Sequence, residues 1–154
     1  MNSVDITTGP FPDFPTDLQA PFMALMATAN GISKIKETVY ENRMHHVKEL
    51  NRMGAKITVR DNIAKVIGVK KLQGRQVMGS DLRATAALAI AGLSANGKTI
   101  VKGLEHLERG YEDFTKKLQE TGATIVKKNF KLFLKMNDFL EKNSFKKNSK
   151  NYIS

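Results

Sequence analysis

This 154-residue chain has no cysteine and no tryptophan, few aromatics (7%), and only 15 acidic residues against 25 basic ones. Without cysteine there are no disulfides, cysteine zinc sites or thiol nucleophiles in this chain, and a cytosolic home is permitted. No apolar run is long enough to span a membrane. The N-terminus lacks a basic-then-apolar signal pattern. The acid deficit gives a net charge of +10, but its placement argues against a dedicated nucleic-acid surface. From residue 127 onward eight Lys against Asp138 and Glu141 supply +6, leaving +4 for the rest. There is no RNA-stacking motif, P-loop or dinucleotide fingerprint. His45, His46 and His106 lack metal-ligand spacing and read as surface or loop residues.

What is present occurs twice. Thr16-Asp17-Leu18-Gln19 and Ser80-Asp81-Leu82-Arg83 open two helices, and Arg43 and Arg109 follow at nearly equal distances. Asp17 matches Asp81 at an offset of 64, Asn30-Gly31 matches Asn96-Gly97 at 66, and Gly54-Ala55 matches Gly122-Ala123 at 68. A drift of four residues is that of two copies of one unit with small insertions.

In each copy Thr16 or Ser80 is expected to cap a helix, with the following acid favoured in its first turn. Asn-Gly then ends the helix. A strand is expected over 32–39 or 99–104 and a second helix over 45–53 or 111–120. Gly-Ala stops that helix, and a strand follows over 56–59 or 124–126. In the first copy 64–69 adds a hairpin partner through Asp61-Asn62. The expected class is α/β, with helices packed on sheets. The first copy opens without a leading strand, as though the chain began mid-fold.

The repeat units are placed at about 16–69 and 80–127, within a partial domain over 1–127. Residues 128–154 form a basic Lys/Asn-rich tail with no counterpart in the first copy. It reads as a non-native extension, partly disordered at its end, or as a basic segment that touches a partner or membrane surface.

Five ordered motifs carry a resemblance: residues 9–20, Glu37-Thr38-Val39-Tyr40-Glu41-Asn42-Arg43, residues 46–55, Ser80-Asp81-Leu82-Arg83-Ala84, and Glu108-Arg109-Gly110-Tyr111-Glu112. Over about residues 8–127 the chain resembles the enolpyruvyl transferases, in particular the branch that acts on UDP-N-acetylglucosamine. The resemblance implies βαβαββ units with helices packed inside, of which this chain holds two in an incomplete, C-terminal part. It implies transfer of the enolpyruvyl group of phosphoenolpyruvate to the sugar's 3-hydroxyl, with loss of phosphate, in cytoplasmic peptidoglycan and cell-wall synthesis. No cofactor and no metal are expected.

By the same resemblance the catalytic residues are Asp17, Asp81 and Arg109, and the substrate-binding residues are Asp17, Val39, Arg43, Arg83 and Arg109. On position alone Asp17 and Asp81 are ordinary helix-start acids, Val39 is strand core, and the arginines are solvated. The family's N-terminal Lys-Asn pair, two further arginines and a cysteine- or aspartate-bearing loop have no counterpart here. The chain alone is therefore expected to be inactive or nearly so, with the missing portion as a possible separate chain. The alternatives are the sibling branch using shikimate 3-phosphate, a non-catalytic ligand-binding or interaction module, and a degraded gene product.

Overall fold

The computed structural model describes residues 1–129 and 131–135. The first unit runs β1 (Ile6–Thr7), a 3-10 turn (Thr16–Leu18), α1 (Gln19–Met26), β2 (Ile32–Lys36), α2 (His46–Arg52), β3 (Lys56–Arg60) and β4 (Ile63–Ile67). The second runs β5 (Gln76–Met78), α3 (Leu82–Ser94), β6 (Lys98–Lys102), α4 (Leu104–Glu108), α5 (Phe114–Glu120), β7 (Thr124–Lys128) and β8 (Lys131–Lys135). Both sheets have one topology, β1-β2-β4-β3 and β5-β6-β8-β7. The first pair in each is parallel and the others are antiparallel. The described residues thus form two α/β units of βαβαββ type.

The strands alternate, as a sheet with one covered face must. Ser33 and Ile35 point inward from β2, and Lys34 and Lys36 point out. Leu132 and Leu134 are buried on β8, while its lysines are only half-buried. Inside, α1 packs on α3, with α1 against β2 and β4 and α3 against β6 and β8. α1 and α3 therefore lie between the two sheets. Small residues make this possible. Ala84, Ala86, Ala87, Ala89, Ala91 and Gly92 of α3 are all buried, so neighbouring backbones can come close on several sides. A Cβ on Gly92 would stand 3.0 Å from Thr99 Cγ2. The chain leaves the first sheet just as closely, since a Cβ on Gly68 would fall 1.6 Å from the Ala29 carbonyl oxygen.

Several expectations need correction. A strand does precede the first helix: β1 pairs with β2 through Ile6 and Thr7. It is only two residues long, too short to show as a pattern. The strand expected over 32–39 stops at Lys36, and that over 99–104 stops at Lys102. After Lys102 the chain turns at Gly103 (φ 84°) into α4, whose first residue the expected strand includes. The helix expected over 111–120 starts only at Phe114, behind Asp113 at φ 49°. It packs chiefly on β7 and has no fully buried residue, unlike α2, which leans on α3.

The tail boundary at 128 also falls too early. Lys131–Lys135 is β8, paired along its whole length with both β6 and β7. It is the counterpart of β4, with Asn129 (φ 49°) opening the turn as Asp61 (φ 53°) does in the first unit. The Lys-Leu-Phe-Leu-Lys sequence hides the equivalence because it shares no residue, position for position, with Ile-Ala-Lys-Val-Ile. The rest of the tail, 136–154, lies outside the described residues.

Candidate functional site

Capping departs from expectation in a way that shapes the site. In the second unit the cap is Asp81 itself, not Ser80. Asp81 Oδ1 accepts from the Arg83 N–H (2.9 Å) and the Ala84 N–H (3.0 Å), while the Ser80 hydroxyl donates to Oδ2 (3.1 Å). In the first unit neither Thr16 nor Asp17 caps a helix through its side chain; both lie in the 3-10 turn that leads into α1. Asp17 is thereby released from the helix end, and its side chain is 64% exposed.

Two guanidinium groups take its Oδ1. Arg83 Nε, from the first turn of α3, donates at 2.6 Å, and an Arg43 Nη, from the loop before α2, donates at 3.2 Å. The ion pair with Arg83 spans the two units. Arg43 also donates to the Thr16 hydroxyl (3.0 Å) and lies over the Tyr40 ring, 4.1 Å from its centre. The hydrogen bond from Arg83 is the main influence on Asp17. Slight burial opposes it, but the charges of both arginines and the Arg43 bond add to it, and the carboxyl pKa falls below its ordinary value. Arg83→Gln should let that pKa rise toward the ordinary value, read from the Asp17 carboxyl carbon in an NMR pH titration. An unmoved titration would show that Arg83 does not hold this group.

Asp81 is held charged in another way. Burial works against its carboxylate, but the Ala84 N–H, the Ser80 hydroxyl and the Arg83 N–H outweigh it, with a charge interaction from His46, so its pKa is also lowered. His46, at the start of α2, is 3% exposed, and its Nε2 has no hydrogen-bond partner among the described residues. Burial above all, with the charge of His45, lowers its pKa from 6.5 to about 4, although Asp81 pulls the other way. It is neutral at pH 7.

The remaining expected residues are placed as follows. Val39 lies in the loop after β2, not in strand core, and is 44% exposed. Its N–H donates to Glu37 Oε1 at 2.9 Å. Arg109 is exposed at the C-terminal end of α4 and makes no ion pair among the described residues. The structure thus joins Asp17, Arg43 and Arg83 directly, links Asp81 to Arg83 through the latter's backbone, and leaves Arg109 apart. A cleft of about 740 Å³ opens behind the 37–45 loop, lined by Glu37, Val39, Tyr40, Arg43 and Asn62 among others. Sequence reasoning does not single out Glu37, Thr16, Thr8 or Tyr40 as site residues. The available signal is period two: Ser33 and Ile35 point inward, and an acid at 37 continues that face.

The profile of the family described as EPSP synthase (3-phosphoshikimate 1-carboxyvinyltransferase) matches residues 1–118. The chain belongs to that family. Among its curated relatives, UDP-N-acetylglucosamine 1-carboxyvinyltransferase 2 of Prochlorococcus marinus (strain SARG) is 62% identical over 125 residues, covering 81% of this chain and 29% of the relative. UDP-N-acetylglucosamine 1-carboxyvinyltransferase of Prochlorococcus marinus (strain AS9601) is 51% identical over 150 residues, covering 97% of this chain and 32% of the relative. The chain therefore spans about a third of the length of these relatives or less.

Among solved structures, the enolpyruvyl transferase NikO from Streptomyces tendae is similar with a TM-score of 0.71 and 32% identity, over 79% of this chain and 28% of that one. EPSP synthase from Acinetobacter baumannii, at 18% identity and a TM-score of 0.65 over 80% of this chain and 29% of that one, shares the fold.

Proposed function

We propose that this chain is the C-terminal part of a transferase that moves the enolpyruvyl group of phosphoenolpyruvate to the 3-hydroxyl of UDP-N-acetylglucosamine, releasing phosphate, in cytoplasmic peptidoglycan synthesis. The observation that carries the reading is the convergence of Arg43 and Arg83 on Asp17 across two family units. The names of the relatives at 51–62% identity favour the nucleotide-sugar branch over shikimate 3-phosphate.

The chemistry follows from the charges. At neutral pH Asp17 is a carboxylate and accepts a hydrogen bond from the sugar hydroxyl. Its two arginines make it a weak base in the empty site. Bound phosphate and carboxylate groups compete for those guanidinium forks, and as the arginines turn to them Asp17 becomes basic enough to take the hydroxyl proton. The oxygen then adds to C2 of phosphoenolpyruvate while a relay through Asp81 delivers a proton to the methylene carbon. Loss of a proton from the new methyl group back to that relay, with departure of phosphate from C2, then restores the C=C bond of the enolpyruvyl ether. Arg109, which pairs with no carboxylate among the described residues, is available to grip phosphoenolpyruvate. Val39 has only its carbonyl left for a ligand, because Glu37 holds its N–H.

The cations and the loop expected from the rest of the family chain have no counterpart among these residues, so the chain alone should turn over little or nothing. It should still bind the sugar. Titration with UDP-N-acetylglucosamine should give saturable amide NMR shifts at Asp17, Val39 and their neighbours, reduced in Asp17→Asn. A dispersed spectrum that does not respond would overturn this reading and favour an interaction module.

A further inference from the structure

Glu37 is 3% exposed, and no cation pairs with it among the described residues. A carboxylate so placed is costly unless hydrogen bonds replace its water. Here four do. Oε1 accepts from the Thr8 hydroxyl (2.8 Å), the Val39 N–H (2.9 Å) and the Tyr40 N–H (3.1 Å), and Oε2 accepts from the Thr16 hydroxyl (2.9 Å). The backbone is pinned as well: the Glu37 N–H donates to the Asn62 carbonyl, and Asn62 Nδ2 donates to the Glu37 carbonyl, both at 2.8 Å.

One side chain therefore ties the end of β1, the 3-10 turn carrying Asp17 and the loop carrying Val39, Tyr40 and Arg43. Thr16 passes the connection on. Its hydroxyl donates to Glu37 and accepts from Arg43, which in turn donates to Asp17. The four bonds outweigh the opposing effect of burial and hold the Glu37 pKa below its usual value.

The second unit has no equivalent. At an offset of 66 stands Gly103, at φ 84°, where a Cβ would lie 2.4 Å from the Gly79 carbonyl oxygen. A glutamate has no room there, and α4 takes the place of the loop. Among the described residues the tie is a device of the first unit, which argues against a general need of the fold.

We infer that Glu37 is a positioning residue: it shapes the 37–43 loop around the nucleotide-sugar contact and, through Thr16, sets Arg43 on Asp17. The relay from Glu37 through Thr16 to Arg43 stands on geometry alone. Its importance for ligand rests on the functional reading above.

The test uses the full chain. Glu37→Ala should speed hydrogen exchange at the Val39 and Tyr40 amides about tenfold or more, as loss of a charge-assisted bond predicts. It should also raise the Asp17 carboxyl pKa as Arg43 is released. Thr16→Val should raise the Asp17 pKa while leaving those amides protected. Glu37→Gln should act like Thr16→Val, because its one carbonyl oxygen can keep the Val39 and Tyr40 bonds while its amide nitrogen cannot accept from Thr16. This milder variant decides the matter if Glu37→Ala fails to fold. Glu49→Gln, at a carboxylate that takes the Met78 N–H elsewhere in the fold, should do neither. Unchanged Asp17 titration in both Glu37→Gln and Thr16→Val would overturn the relay, as would equal effects from Glu49→Gln. A wild-type chain that shows the relay but no response to UDP-N-acetylglucosamine would sink the functional reading and leave the relay standing. A wild type that binds, with Glu37→Ala binding equally well, would overturn the positioning role.

Discussion

The chain should lose about 3 kcal/mol of stability between pH 6.5 and pH 4 because of one residue, His46. Unfolded, this imidazole titrates near its ordinary value of 6.5; folded, burial lowers its pKa to about 4. Between those values the unfolded chain takes up a proton that the folded chain refuses, so acid favours unfolding. The contribution is present in full above 6.5 and is lost as the pH falls to about 4. Carboxylates act in a different window. Asp17, Glu37 and Asp81 all have lowered pKa values, so what they contribute persists above the ordinary carboxylate pKa and disappears only below about pH 4.

Urea unfolding midpoints measured across pH 4 to 7 separate the two. His46→Phe should flatten the slope between pH 6.5 and 4, whatever it does to absolute stability. The second unit has Phe114 at the matching helix start, at an offset of 68, so the fold already accepts a phenyl ring at that point of the pattern. A variant that keeps the wild-type slope would show that His46 is not the group responsible.

His46 also marks where sequence reasoning stops. His45 and His46 read alike as surface or loop histidines, yet only His46 is buried, because α2 turns Val47, Leu50 and this ring inward. Nothing in an adjacent His-His pair tells the two apart. The repeat is legible because glycine and asparagine mark the turns: Gly31 and Gly97, and Gly54 and Gly122, all have positive φ, and such backbone needs show directly in the residue type. β8 is not legible. Its partners on β6 lie about 30 residues away, and a Lys-flanked Leu-Phe-Leu pattern suits a basic tail as well as a core strand.

The site divides in the same way. Asp17, Asp81 and the arginines can be picked out by motif, but their connections cannot. That Asp81 caps a helix while Asp17 does not depends on a 3-10 turn in place of a regular first turn. That Arg83 reaches Asp17 depends on α3 lying against α1. Glu37 stands within a motif yet draws no notice by itself, because an acid beside a strand looks solvated until the sheet's inward face is known.

That contact between α3 and α1 leads to the second large effect. Leu88→Ala should cost about 2–5 kcal/mol, the usual result of emptying a leucine site that cannot collapse. Leu88 is fully buried near the middle of α3, and α3 packs on α1, α2, α4, β6 and β8. Neighbours on so many sides cannot all move inward. Leu118→Ala on half-buried α5 should cost half as much or less, since it removes less area from a site open to water. The comparison is made by urea unfolding of both variants at pH 7. The site should respond as well, because Arg83 sits one turn and a half before Leu88 on the same helix and reaches Asp17 only while α3 keeps its place. A loosened α3 would let Arg83 drift, and the Asp17 pKa would rise in Leu88→Ala but not in Leu118→Ala. Equal costs for the two variants would mean that α3 is not the shared centre of the two units, and an unmoved Asp17 titration would mean that the ion pair does not depend on the helix beneath it.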